Sequence, residues 1–215
     1  MSTSASFIQK VNQKIRYGMV IHYLLAKLSQ LGLIVNPYFL MKEFFIPTHD
    51  LRVNITPRMP SLTTDFLDTR EIESILDYPE RKGIVQSYKF HDRISDGCLC
   101  LGVKHELEII AYTWCDLKQC NHKPLRFNLK KTEAYLFDMY IFKAYRGRNI
   151  APYLRHQQYS HLKQRGLTDF FSIIDAFNKP SLQYHRKLGA RPIKLYLYLK
   201  LGEFFERNFL LKSYE

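Results

Sequence analysis

Apolar and polar positions divide the chain into short, separable runs. Over residues 7–31, Ile15, Met19, His22, Tyr23 and Ala26 recur at three-to-four spacing, which predicts one or two helices. Residues 44–60 read as extended and end in a turn holding Pro57 and Pro60. Residues 69–78, TREIESILDY, open on a Thr cap, carry Glu71 and Glu73 early and stop at Pro79, as a short helix would. Two apolar runs, 98–104 (CLCLGVK) and 107–114 (LEIIAYTW), are separated by His105 and Glu106 and predict a tight hairpin. A polar loop over 115–131 follows.

The second half has a regular order. Residues 134–142 (AYLFDMYIF) form a long apolar strand, and 150–165 a helix closed by Gly166. Residues 169–175 (DFFSIID) form another strand, and 179–188 a second helix closed by Gly189. Residues 193–201 (IKLYLYLKL) alternate as a strand, ahead of a mixed tail. Strand–helix–strand–helix–strand argues for α/β layering with at least one parallel crossover.

Composition sets the bounds. With 215 residues, 46% of them hydrophobic, the chain can bury a core as one large domain or a domain with an extra lobe. Fifteen Tyr and fifteen Phe favour a β-rich or mixed interior. Residues 17–35 lack a signal-peptide cleavage site, and His22, Lys27 and Gln30 interrupt them as a membrane span. The expectation is a cytoplasmic protein with reduced thiols. Cys115, Cys120 and His122 supply only part of a zinc ligand set, and Cys98 and Cys100 alternate along a strand, so no metal is expected.

Charge changes this picture. The net charge is +12 and the pI about 9.5, which calls for a polyanionic partner: nucleic acid, an anionic membrane or a phosphorylated cofactor. From Tyr140 to the end there are 14 Lys and Arg against 5 Asp and Glu. The first 42 residues contain no acid, against Lys10, Lys14, Arg16, Lys27 and Lys42. They suit a packed helix with a solvated basic face, or a helix that touches a membrane surface or an acidic partner.

The stretch YRGRNIAPYLRHQQ, residues 145–158, gives the positive charge an object. A buried strand ends near Phe142, and Pro152 fits only the first turn of a helix, so the helix starts at Asn149–Ala151. First-turn N–H groups around Arg148, Asn149, Ile150 and Ala151 then point out along the axis at the positive end of the dipole. That is an anion site into which a pyrophosphate fits. Gly147 and Ala151 allow close approach, and Arg146 and Arg148 add attraction. No Gly-Lys-Ser/Thr follows and the spaced glycines of a dinucleotide fingerprint are missing.

This turn and a second stretch, NKPSLQYHRKLGA at 178–190, together resemble the GNAT N-acetyltransferase superfamily. The family's phosphate turn, Arg/Gln-x-x-Gly-x-Gly/Ala, is matched by Arg146, Asn149 and Ala151. Its preceding strand end is echoed by Ile141, Lys143, Tyr145, Arg146 and Gly147, and its downstream element by Asn178, Ser181, Tyr184, Lys187, Leu188 and Gly189. The best-matched core is 134–201. Asn149 stands in place of a usual glycine, Ser181 of an alanine and Ala190 of an aromatic.

The resemblance implies a mixed, largely antiparallel sheet with one splayed parallel pair, strands 134–142 and 169–175, and helices on both faces. It divides the chain into an N-terminal helical extension, 1–42, and an acyltransferase domain, 43–215. It implies acetyl-CoA or another acyl-CoA as donor, the pantetheine arm along Met139, Tyr140 and Ile141, and the phosphates at residues 146–151, with Asn178 also at the site. The acceptor is a small-molecule or protein amine that attacks the thioester directly. Tyr184 is the implied general acid. Asp138, Asp175 and Glu106 are candidate bases, with Asp138 preferred because a carboxylate inside an apolar strand is costly without a partner or a role. His156, His161 and His185 read as packing or surface residues. A nucleic-acid-binding module, and a CoA-binding regulator without catalysis, are the competing functions. The 1–42 segment is expected to cover the acceptor cleft, dimerise the protein or contact a membrane.

Overall fold

The computed structural model describes residues 25, 27–47, 54–81 and 87–214. In chain order these form β1 (Leu33–Glu43), β2 (Leu62–Phe66), α1 (Thr69–Asp77), α2 (Ser87–Ser95), β3 (Leu99–His105), β4 (Glu108–Asp116), β5 (Gln119–His122), β6 (Leu125–Asn128) and β7 (Glu133–Ile141). A 3-10 turn, Lys143–Tyr145, leads to α3 (Ile150–Gln164), β8 (Asp169–Asp175), α4 (Lys179–Lys187), β9 (Arg191–Leu201) and β10 (Phe205–Ser213). The fold is mixed α/β, its sheet mostly antiparallel with one parallel pair, β7 with β8.

Two compact units divide the chain. The first comprises Phe44–Asn121 and Phe127–Phe171. Its strands run in the order β8-β7-β4-β3-β2. The β7–β8 ladder pairs Glu133 with Asp169, Ala134 with Phe170 and Tyr135 with Phe171, and β7 continues to Ile141. Along β7, Asp138 and Met139 together oppose the single residue Thr113 of β4, between the pairs Trp114–Phe137 and Tyr112–Tyr140. This is a β-bulge, and Asp138 takes a left-handed φ of 46° in it. The extra residue shifts the alternation by one. Phe137, Tyr140 and Phe142 therefore join one aromatic cluster with Phe90, Tyr112 and Trp114. Met139 and Ile141 instead pack with Ile110, Ala111, Ile150 and Leu154.

The second unit comprises Met1–Glu43, His122–Arg126 and Ser172–Glu215. Its strand order is β10-β9-β1-β8. Met41, Ile174, Leu182 and Ala190 form its apolar cluster. Beside them Glu43 and His185 are buried, with His185 Nε2 3.6 Å from a Glu43 carboxylate oxygen.

Several expectations need correction. Residues 33–42 are not helical: they form most of β1, paired with β9 from Leu33↔Leu201 to Lys42↔Arg191. Gly32, at a φ of +84°, ends the helical turn at 27–30, and the β-branched and aromatic run after it suits a strand. The remaining helix expected over 7–31, and any membrane contact by it, lie largely outside the described residues. Helix α1 is capped by Asp68 rather than Thr69, through a capping box in which Glu71 N–H donates to Asp68 and Asp68 N–H donates to Glu71. The polar loop 115–131 contains the last two residues of β4, Cys115 and Asp116, and the β5–β6 hairpin, and the mixed tail contains β10. β2 and α2, short and weakly patterned, went unpredicted.

Among the described residues, no helix is long and apolar enough to cross a membrane, and no group of three or more His, Cys, Asp or Glu is placed to hold a metal.

Candidate functional site

A cleft of about 410 Å³ opens in the first unit where β7 gives way to α3. It is lined by Met139, Tyr140 and Ile141 of the strand, Tyr145, Arg146, Gly147 and Asn149 of the turn, and Ile150, Ala151 and Pro152 of the helix. Eight of the residues expected to hold an acyl-CoA thus share one surface. Arg148 and Asn178 are the two that do not line it.

The turn's backbone explains its shape. Gly147 has a φ of +77° and Asn149 of +63°, with Arg148 between them outside the positive region. Alternation of this kind turns successive N–H groups toward a common point, the geometry of an anion nest. Asn149 is the N-cap of α3, yet its side chain makes no cap hydrogen bond. Instead Nδ2 donates to the carbonyls of Asn54 (3.1 Å) and Thr56 (3.2 Å). A side chain that could have crowded the helix start is turned away from it.

Cationic groups frame the cleft. Arg146 Nε donates to the Ile141 carbonyl at 3.0 Å, folding the guanidinium back over the strand end, 5.4 Å from the Tyr140 ring centroid. Arg148 lies 5.8 Å from the Tyr145 ring centroid. Arg81 stacks on Tyr140 at 4.0 Å. Tyr140 Oη donates to Glu80 at 2.8 Å, and Lys143 N–H donates to the same carboxylate at 3.0 Å. Burial works against the Glu80 charge, but these hydrogen bonds and the nearby Lys143 and Arg146 outweigh it, holding its pKa below the usual carboxylate value. Tyr145 Oη donates to Glu108 at 2.6 Å, and this bond, with some burial, pushes the phenol up to about 12. Both rings remain neutral walls at physiological pH.

The other expected site residues are placed as follows. Asp138 is exposed rather than buried, because the bulge turns it out of the strand, and it pairs with Arg93 at 2.5 Å. Arg93 is held in turn 5.1 Å from the ring centroids of both Trp114 and Phe137. Glu106 sits in the β3–β4 turn with a φ of 56°. Tyr184 and Asn178 belong to the second unit. Asn178 Oδ1 accepts from Ser181 N–H and caps α4, and half-buried Tyr184 lies edge-on to His185 at 4.8 Å. Asp175 accepts from the Phe177 N–H in the turn after β8. The three histidines are packing residues: His156 contacts the Ile46 carbonyl, His161 contacts Thr64, and His185 contacts Ser181 and Glu43. Glu80, Arg81 and the 54–58 segment were not foreseen. In the sequence, the stop at Pro79 marks the neighbourhood of Glu80 and Arg81, and the turn holding Pro57 and Pro60 marks that of the 54–58 segment, but neither points to a site.

Residues 61–190 match the model of the acetyltransferase (GNAT) family. No curated protein matches the chain. Among solved structures, it is similar to a conserved protein of unknown function from Staphylococcus epidermidis, with a TM-score of 0.56 and 12% identity over 84% of this chain and 67% of that one. It is similar to an acetyltransferase of the GNAT family from Colwellia psychrerythraea, with a TM-score of 0.54 and 13% identity over 80% and 57%. It is also similar to a glucosamine N-acetyltransferase region of a fungal multi-domain β-N-acetylglucosaminidase, with a TM-score of 0.58 and 15% identity over 87% and 23%. At such identities the likeness is one of fold. The chain spans little more than half of the Colwellia protein and under a quarter of the fungal one.

Proposed function

Since the chain belongs to the acetyltransferase (GNAT) family, we propose that it transfers an acetyl group from acetyl-CoA to an amine, with the donor in the cleft between the end of β7 and the start of α3. The observation that carries this is the cleft itself. The strand edge, the nest and the first turn of α3 that line it are the parts that the sequence motif assigns to the donor. The pyrophosphate is held by the N–H groups of the nest and the positive helix end, with Arg146 and Arg148 adding charge. Tyr140 and Ile141 bring the strand backbone to the pantetheine arm.

In the reaction, the amine nitrogen attacks the thioester carbonyl. A C–N bond forms, the C–S bond breaks and the thiolate takes a proton from Tyr184. The amine's proton leaves to a base. Asp138 at the bulge is one candidate, and Glu80, hydrogen-bonded to the cleft-lining Tyr140, is a second.

The test is acetyl-CoA-dependent release of CoA thiol in the presence of a panel of small amines, amino sugars and peptides, with acetylated product identified by mass. At least one class is expected to turn over. Tyr184→Phe should then lower kcat by about 10²-fold or more with acetyl-CoA affinity nearly intact, the size expected when a general acid is removed. Acetyl-CoA binding without transfer to any amine would leave a CoA-binding protein and contradict the catalytic reading.

A further inference from the structure

The staple made by Asn149 has a consequence for what the site binds. A glycine at this position would give the same left-handed turn but could not reach residues 54–56. Asparagine tolerates the turn and uses its amide on two carbonyls of that segment. A third bond joins the same parts: Arg58 N–H donates to the Arg148 carbonyl at 2.9 Å. The segment is also fixed internally, because Thr56 N–H donates to Asn54 Oδ1 at 2.7 Å. Ile55 is buried, and Met59 packs against the cluster that holds Ile150 and Leu154 of α3. Between these anchors Arg58 stays exposed, and among the described residues it has no acidic partner. It does not line the cleft but stands beside it, with its backbone bonded to the nest.

We infer that residues 54–58 form an outer wall of the phosphate site, and that Arg58 on this wall binds the 3′-phosphate that CoA carries beyond its pyrophosphate. This rests on the acyl-CoA reading above. The nest and the helix start serve the pyrophosphate, so a further cation outside the cleft faces a further phosphate. A phosphomonoester dianion suits a guanidinium, which donates two parallel hydrogen bonds to it. Asn149 is the positioning residue: it holds the wall against the turn.

The experiment is calorimetric titration of the intact protein with CoA and with dephospho-CoA, which lacks only the 3′-phosphate, in one buffer of low ionic strength. The native protein should prefer CoA by about tenfold, the worth of a charge-assisted contact of this kind. Arg58→Gln should reduce that preference to about twofold or less and leave dephospho-CoA binding as it was. Asn149→Gly should reduce the preference in the same direction, because the wall is released while the turn survives. A preference for CoA that survives Arg58→Gln would overturn the inference and leave the acyl-CoA reading standing, as would an equal loss of both ligands. Failure of the native protein to bind either nucleotide would overturn both.

Discussion

Replacing Ala151 with glutamate should abolish stabilisation by acetyl-CoA while leaving the ligand-free protein as stable as before, or slightly more stable. Ala151 is the second residue of α3, after the Asn149 cap, and it lines the cleft. An acid in the first turn of a helix meets the positive end of the dipole and contributes about 0.3–1 kcal/mol to folding. That same carboxylate would occupy the place assigned to a pyrophosphate. Like charges forced together cost several kcal/mol, enough to lower affinity by about 10²-fold or more. Folding and binding therefore move in opposite directions, which separates a lost site from a damaged fold. Thermal unfolding with and without millimolar acetyl-CoA reads both quantities. A ligand-induced shift that persists in Ala151→Glu would place the phosphates elsewhere.

The second large effect lies beneath the site. Trp114 is fully buried on β4, edge-on to Phe90 at 5.3 Å and 5.1 Å from the Arg93 guanidinium. Trp114→Ala should cost about 3–5 kcal/mol in urea unfolding, as expected for a large aromatic truncated in a packed core. The indole Nε1 is buried with no hydrogen-bond partner among the described residues. Trp114→Phe removes that unpaired donor while keeping much of the ring, so it should cost well under half as much. A phenylalanine variant as unstable as the alanine one would show that the indole N–H is bonded after all. Trp114 also steadies Arg93, which holds Asp138 at the β7 bulge, so the core and the strand that lines the cleft are linked through one guanidinium.

The strand, turn and helix start that line the cleft are legible in the sequence because their determinants are local. Pro152 sets the helix start, Gly147 permits the turn, and the apolar run 134–142 supplies the strand, all within some twenty residues. The aromatic and apolar composition of that strand conceals its bulge. Every residue of AYLFDMYIF except Asp138 is apolar or aromatic, so alternation could not show that the register slips there. Asp138 consequently looked buried when it is exposed and paired with Arg93. Asn149 could be recognised as a departure from the family pattern, but its partners lie 95 and 93 residues away, beyond any local signal. The same holds for Glu80, which meets Tyr140 across 60 residues. β1 was lost to the helix expectation because its apolar run follows directly on a helical one, and only Gly32 separates the two.

In the proposed reaction, the phosphates of an acyl-CoA rest on the nest and helix start at residues 147–151. A crystal structure of the protein with CoA tests this placement most directly. The predicted result is pyrophosphate oxygens within hydrogen-bond distance of backbone N–H groups in that stretch, with the pantetheine arm running along Met139–Ile141. CoA bound with its pyrophosphate away from this turn would contradict it.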